Sequence, residues 1–452
     1  LQPTFKLGKL KMSLYLPIIY NTNMFDPQDW YKPEGNNEWS FGTDEEFAGD
    51  WQAIAMDAAS DLFLKIRYLQ WGEQRDKFYL KIGNLNNMTI GHGLLMYNYA
   101  NDADFPAIRK VGINTGLDFK KIGLEAVVNN VADPQIFGGR FYFRPAPDIF
   151  RFALGLSSVV DLYPASVLTD AEKIASGDPV FINVAFDLDF PIMENDFLSL
   201  IIFGDVGGMV PYFRGTVGET SITGLYTDAL FKIEPEFSLR NWGLTAGVFG
   251  NIFIADYRVE YRNFNGIFRP NFYNNRYDRL RGSYAQELAT YLADQENEIY
   301  SVNIQGIYGE AGFSFYKDKI RFAAGYMAPF TIEEAVISPE RRYDIFLKDT
   351  LHMEFSIAPD VIPVVNIHGS IALDRTGFVA AFMEEQALAS EPDKDTLLKR
   401  LFDERTVIRG EVIYGVAPTL DLAAIITTNS AFDEEGKITV TPSITIETRV
   451  HF

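Results

Sequence analysis

Apolar and polar residues alternate with period two over much of the chain. From 180 to 190 the even residues Val180, Ile182, Val184, Phe186, Leu188 and Phe190 are apolar, and Asn183, Asp187 and Asp189 lie between them. Successive side chains of a strand point to opposite faces, so this stretch predicts a strand with one apolar and one polar face. Residues 228–239 repeat the pattern, with Ala229, Phe231, Ile233, Pro235, Phe237 and Leu239 set against Asp228, Lys232, Glu234, Glu236 and Ser238. Similar alternation at 62–68, 78–82, 111–119, 150–156, 351–357 and 365–373 predicts further strands. Two places break it, 254–257 and 306–310, and both read as bulges or as strand extending past the layer it spans. Helical character is confined to parts of 376–404, where Glu391-Pro392-Asp393 separates two short pieces.

The connections sort by length. Short polar turns fall at 72–77, 120–121, 145–148, 193–196, 240–242, 317–319, 359–362 and 417–419; the connections between them are mostly long, at 20–56, 85–106, 161–178, 206–224, 263–297, 330–347 and 374–404. A β-sandwich has no reason to separate its loops this way. A transmembrane antiparallel up-and-down β-barrel does, with short periplasmic turns at one rim and long extracellular loops at the other. The fold class expected is therefore all-β, a single barrel over 1–452 with about 18 strands (16–20), an even number.

Composition narrows the partners. Sixty-one acids against 40 bases give a formal charge of −21, which repels nucleic-acid phosphate. There is no Cys, hence no disulfide framework, thiolate metal site or Cys nucleophile. No run of 18 apolar residues predicts a spanning helix, and near Leu1 no basic segment precedes an apolar one, so the start reads as mature sequence.

In the last sixteen residues Ile438, Val440, Pro442, Ile444, Ile446, Thr448, Val450 and Phe452 alternate with Lys437, Thr439, Thr441, Ser443, Thr445, Glu447, Arg449 and His451, all polar. This ending resembles the C-terminal targeting strand of bacterial outer-membrane β-barrel proteins of the porin class, with Ile444, Ile446, Val450 and Phe452 as the assembly signal. Thr448 and Pro442 depart mildly from the pattern, and no particular porin family is matched. The resemblance implies a bacterial outer-membrane location, lipid and lipopolysaccharide as surroundings, the barrel-assembly machinery as a partner during biogenesis, and the homo-trimer as one assembly open to it.

If the apolar parity faces lipid, the polar parity lines the lumen. Lys65, Arg67, Lys81, Arg140, Arg144 and Arg151 come from early strands, and Asp187, Asp189, Asp228, Glu234 and Glu236 from the next. Two arrangements follow. Held apart across water, these charges make a mixed-charge bore passing small polar solutes or ions. Paired directly, they fill the interior of a plugged, non-conducting barrel that serves as a surface binding or interaction protein. The segment 262–300 is rich in Tyr, Phe and Arg; Arg269, Tyr273, Arg276, Tyr277, Arg279 and Arg281 suit polar ring compounds, whether it folds inward as a constriction or packs outside as a lid. Residues 85–106, with His92 between Gly91 and Gly93, have the bends an inward loop needs. His92, His352, His368 and His451 show no metal spacing; no cofactor and no enzymatic activity is expected, the nearest approach to a catalytic pair being His352 and His368.

Overall fold

The computed structural model describes residues 2–16, 39–43, 49–103, 109–148, 152–195, 197–217, 223–233, 237–293, 303–316, 319–332, 339–362, 366–387, 400–432 and 438–451. The first ten strands are β1 (Gln2–Leu7), β2 (Leu10–Leu14), β3 (Ile66–Trp71), β4 (Tyr79–Gly83), β5 (Gly112–Asp118), β6 (Ile122–Val128), β7 (Ile136–Phe143), β8 (Ala153–Asp161), β9 (Pro179–Glu194) and β10 (Leu198–Phe213). Three two-residue strands follow in one connection, β11 (Gly224–Leu225), β12 (Phe231–Lys232) and β13 (Ser238–Leu239). The wall resumes with β14 (Trp242–Ile252), β15 (Ala255–Phe264), β16 (Ile304–Phe315), β17 (Ile320–Phe330) and β18 (Thr350–Ile357). It ends with β19 (Ile367–Thr376), β20 (Thr406–Ala417), β21 (Leu420–Phe432) and β22 (Ile438–His451).

Each wall strand pairs antiparallel with its neighbour in sequence, β10 pairing with β14 across the three short strands. The ring closes where β1 lies parallel to β22, Gln2 opposite Arg449 and Thr4 opposite His451. The barrel therefore has 19 staves, ten before the short strands and nine after. The count is odd, against the even number expected: an antiparallel ring of odd size needs one parallel seam, and β1 with β22 supplies it.

The rims separate by loop length, although the short turn expected at 240–242 falls at the end of a long connection and the long connection expected at 206–224 begins inside β10, which runs to Phe213. Residues 8–9, 72–78, 119–121, 195–197, 253–254 and 418–419 are tight links at one rim, here the turn end; 15–65, 84–111, 162–178, 214–241, 265–303, 331–349 and 377–405 are long links at the other, the loop end. Facing also follows parity. On β9 Val184, Phe186, Leu188 and Phe190 point outward and are exposed, while Asn183 and Asp187 are buried inside. On β22 Ile444 and Ile446 point outward and Glu447 inward. Among the described residues no helix is long and apolar enough to cross a membrane, which does not bear on a wall of strands.

Four strand expectations fail in whole or in part. The strand expected over 62–68 begins only at Ile66, because Trp51–Leu64 is a helix. Residues 228–239 are not a stave: Thr227–Ala229 is a 3-10 turn, and β12 pairs only with β13, so alternation there serves a small flap at the loop end. The break at 254–257 is no bulge, because Phe253 and Ile254 form the link between β14 and β15. The parity switch at 306–310 is not structural either. β16 keeps unbroken register with both neighbours, and Tyr308 faces inward because the interior there is filled with protein. Parity separates outer from inner face only where the interior is polar.

Candidate functional site: a filled lumen

Two long connections fold into the barrel. The first, 84–103, leaves β4 and bends at Gly91 and Gly93, both at positive φ (60° and 100°), which a side chain would strain. Its apolar residues Leu85, Met88, Ile90, Leu94, Leu95 and Met96 are buried. The second, 265–293, carries Phe268, Phe272 and Tyr273 and then a helix, Tyr277–Ala293. Buried Tyr277, Leu280, Tyr284, Leu288 and Tyr291 recur every three or four residues on one face, with Ser283, Gln286 and Thr290 exposed opposite. Gly282 lets this helix approach the 3-10 turn Pro164–Val167, since a Cβ there would lie 2.7 Å from Val167 Cγ2.

The two segments form one body. Met96 and Tyr273 make a parallel bridge; Asn271 and Tyr273 donate backbone N–H to the carbonyls of Leu94 and Leu95, at 2.8 and 2.9 Å. Together with lumen-facing Val127, Val159, Phe181 and Met209 they make one continuous apolar core inside the wall. Phe272 sits at its centre, with the rings of Phe181, Tyr273, Tyr277 and Tyr284 at centroid distances of 5.2 to 5.8 Å.

Charged residues tie this plug to the wall. His92 places Nδ1 2.8 Å from Asp205 on β10 and Nε2 3.2 Å from Asp189 on β9. With a carboxylate at each ring nitrogen, the doubly protonated imidazolium satisfies both. Asp187 and Asp205 are directly opposed on neighbouring strands; Arg140 answers Asp187 with two bonds of 3.0 and 2.6 Å, and His92 answers Asp205. His92, Asp187 and Asp205 put possible ligand atoms within 4.8 Å of one another, the only such group among the described residues. A metal would fit badly there: both His92 nitrogens are engaged and the Arg140 guanidinium already sits on Asp187.

At the loop end, Arg281 reaches Asp161 on β8 at 2.5 Å and Gln135 at 2.5 Å, and Tyr277 donates to Asp161 at 2.7 Å. Arg279 reaches the Thr406 carbonyl on β20 at 2.9 Å and the Thr428 carbonyl on β21. Lys110 pairs with Asp278.

Of the residues read as pore-lining, Arg67, Lys81, Arg140, Arg144, Asp187 and Asp189 face the interior, mostly in direct pairs. Arg144 takes Asp118 at 2.7 and 3.1 Å, Arg67 lies 3.6 Å from Glu447, and Lys81 donates to Asn86 at 3.0 Å. Two readings are corrected. Lys65 caps the helix Trp51–Leu64 and lies over the Trp39 ring at 4.3 Å, covered by its own loop and lining no bore. Asp228 is exposed on its 3-10 turn outside the wall, because 228–239 is a flap. Arg151, Glu234, Glu236 and Phe452 lie outside the described residues. The loop group is interior: Tyr273, Arg276, Tyr277, Arg279 and Arg281 are buried, and Arg269 pairs with Glu287 at 2.6 Å over the Tyr284 ring.

Between the plug and the β16–β21 wall is a recess of about 400 Å³. Glu310, Glu354 and Asp374 come from β16, β18 and β19, and Arg67 and Arg409 from β3 and β20; Tyr97 and Asp102 are contributed by the plug. A smaller cavity of about 30 Å³, lined by Asn271, Asn274, Asn275, Arg276 and Tyr308, adjoins it and shares Tyr97, Asn98, His352 and Asp374. Of the charged lining, the sequence singles out Arg67 as pore-lining and His352, with Glu354 beside it, as part of a possible catalytic pair. The available signal was inward parity of acids on β16, β18 and β19, obscured on β16 by Tyr308 of the same parity.

No protein-family model matches the chain, and no curated protein matches it by sequence. Among solved structures it is similar to CdiB from Acinetobacter baumannii at 8% identity and TM-score 0.27, over 84% of this chain and 58% of CdiB. It is also similar to OprB from Pseudomonas putida, in a high-pH structure, at 9% identity and TM-score 0.25, over 82% of this chain and 90% of OprB.

Proposed function

We propose that the protein is a bacterial outer-membrane barrel that stands closed, so that passage of a polar solute requires movement of the inward segments 84–103 and 265–293. The outward apolar rows, Val184 to Phe190 on β9 and Ile444 and Ile446 on β22, support a wall set in lipid. The observation that carries closure is the anchoring of the helix start at both sides of the ring: Arg281 binds β8, Arg279 binds β20, and the core around Phe272 fills the space between. Directly paired interior charges favour this reading over a constitutive diffusion pore.

Conductance across planar lipid bilayers tests it. The wild type is expected to carry no steady current, and a variant with 86–100 replaced by a Gly/Ser linker to carry one. Steady ohmic steps from the wild-type protein would overturn the proposal.

A further inference from the structure

Arg276 sits just before the plug helix and is 5% exposed. Among the described residues its guanidinium makes no hydrogen bond, and its Nε is an orphaned buried donor. The nearest carboxylate oxygen, on Asp374, is 3.9 Å away. Asp374 is already occupied: His352 Nδ1 lies 2.8 Å from one oxygen and Asn275 Nδ2 2.5 Å from the other. A desolvated guanidinium without acceptors is costly, and its five donors match a carboxylate. The space before it is the 30 Å³ cavity, whose Asn271, Asn274, Asn275 and Tyr308 offer further polar groups.

The larger recess adjoins that cavity and shares Tyr97, Asn98, His352 and Asp374 with it. Glu354 lines the recess from β18 and forms no hydrogen bond or ion pair among the described residues. It shares a face with His352, two residues along the strand and so roughly 7 Å away, and His352 lines both cavities. Glu310 stands on the same side, accepting from Tyr97 at 3.0 Å and from Tyr308. A buried guanidinium whose side chain makes no hydrogen bond and a carboxylate that makes none thus line two adjoining cavities.

We infer that this space binds a small solute carrying a carboxylate and an ammonium several ångströms apart, as short peptides do, with the carboxylate on Arg276 and the ammonium on Glu354. This goes beyond the closed-barrel reading and does not depend on it. Glycylglycine is the probe, N-acetylglycylglycine lacks the ammonium, and glycylglycinamide lacks the carboxylate. Titration calorimetry on the full purified barrel is expected to give saturable glycylglycine binding, with both blocked forms weaker by about tenfold or more. Glu354→Gln should abolish the preference over the acetylated form, and Arg276→Gln the preference over the amide. No saturable binding of glycylglycine overturns the inference, as does equal binding of all three probes. If acetylated and free dipeptides bind alike and Glu354→Gln changes nothing, the zwitterion assignment is refuted. Should Arg276→Gln fail to fold, judged by loss of the heat-modifiable band shift on gels, Glu354→Gln still decides, because Glu354 makes no hydrogen bond or ion pair among the described residues.

Discussion

Arg279 and Arg281 lie two residues apart on one helix yet hold opposite sides of the barrel. Arg281 binds Asp161 on β8 at 2.5 Å, and Arg279 binds the Thr406 carbonyl on β20 at 2.9 Å. Between β8 and β20 the ring runs nine staves one way and ten the other. Nearly opposed side chains at the start of one helix therefore act as a strut across the bore. Arg281→Ala leaves Asp161, which is fully buried, with Tyr277 as its remaining side-chain partner. Unpairing a buried charge costs about 3–5 kcal/mol. The variant is expected to unfold at lower urea, and to show transient current and new protease cuts within 265–293 where the wild type shows neither. Unchanged midpoint, current and cleavage would refute the strut.

His92 fixes the first inward segment. His92→Ala leaves Asp187, Asp189 and Asp205 with Arg140 as the neighbouring base, and is expected to free 84–103 while the wall stays intact. Asp205→Asn should cost less, since Thr245 donates to Asp205 at 3.1 Å and can donate equally to an amide oxygen. A double-mutant cycle between His92 and Asp205, read from urea midpoints, is expected to give a coupling of about 1–3 kcal/mol. Additive effects would show that the Asp205 bond does not hold the loop, leaving Asp189 at 3.2 Å and ring contacts such as Phe203 at 4.9 Å to do so.

The wall was legible in the sequence because an apolar outer face imposes one rule on every stave, and β9 obeys it from Val184 to Phe190. The plug was legible only in part. Gly91 and Gly93 signalled bends, and the Tyr/Arg run at 269–281 signalled interior or binding chemistry, but whether it lay inside depended on partners more than 100 residues away, such as Asp161 for Arg281. Pairing also hid the site. Arg140 and Asp187 were each visible, whereas their direct bond follows from the registers of β7, β8 and β9. The residues 228–239 misled because alternation records a two-faced strand and not what lies on either face.

Outward and inward positions of β9 should differ sharply in tolerance. Leu188 is exposed on the outer face, and Leu188→Arg is expected to destabilise the barrel in lipid by about 2–4 kcal/mol if it lies near mid-membrane, falling toward zero near a rim. Ile192, near the turn end of the same strand, should lose less on the same change. Folding into vesicles, followed by the gel-shift assay across urea, measures both. Equal tolerance at the two positions would argue against a lipid-facing gradient along this row.

Lys348, at the loop end, joins the connection 331–349 to the plug: its Nζ donates to the Gly266 carbonyl at 3.3 Å. Burial pushes its ammonium down to about 8 from an ordinary 10.5, with Arg269 adding repulsion and Glu287 and Asp344 opposing it. The lowered value fixes the sign. Below about pH 8 both folded and unfolded chains hold the proton, and the fold bears the cost of a partly desolvated charge. From there to 10.5 the folded protein releases the proton that the unfolded chain keeps, so this residue's contribution to stability rises with pH. Lys348→Met removes the buried charge and is expected to raise the urea midpoint at pH 7. That advantage over the wild type should shrink steadily between pH 8 and 10.5. A difference between variant and wild type that stays constant, or widens, across the same range would show that the ammonium is not shielded from water by the plug helix.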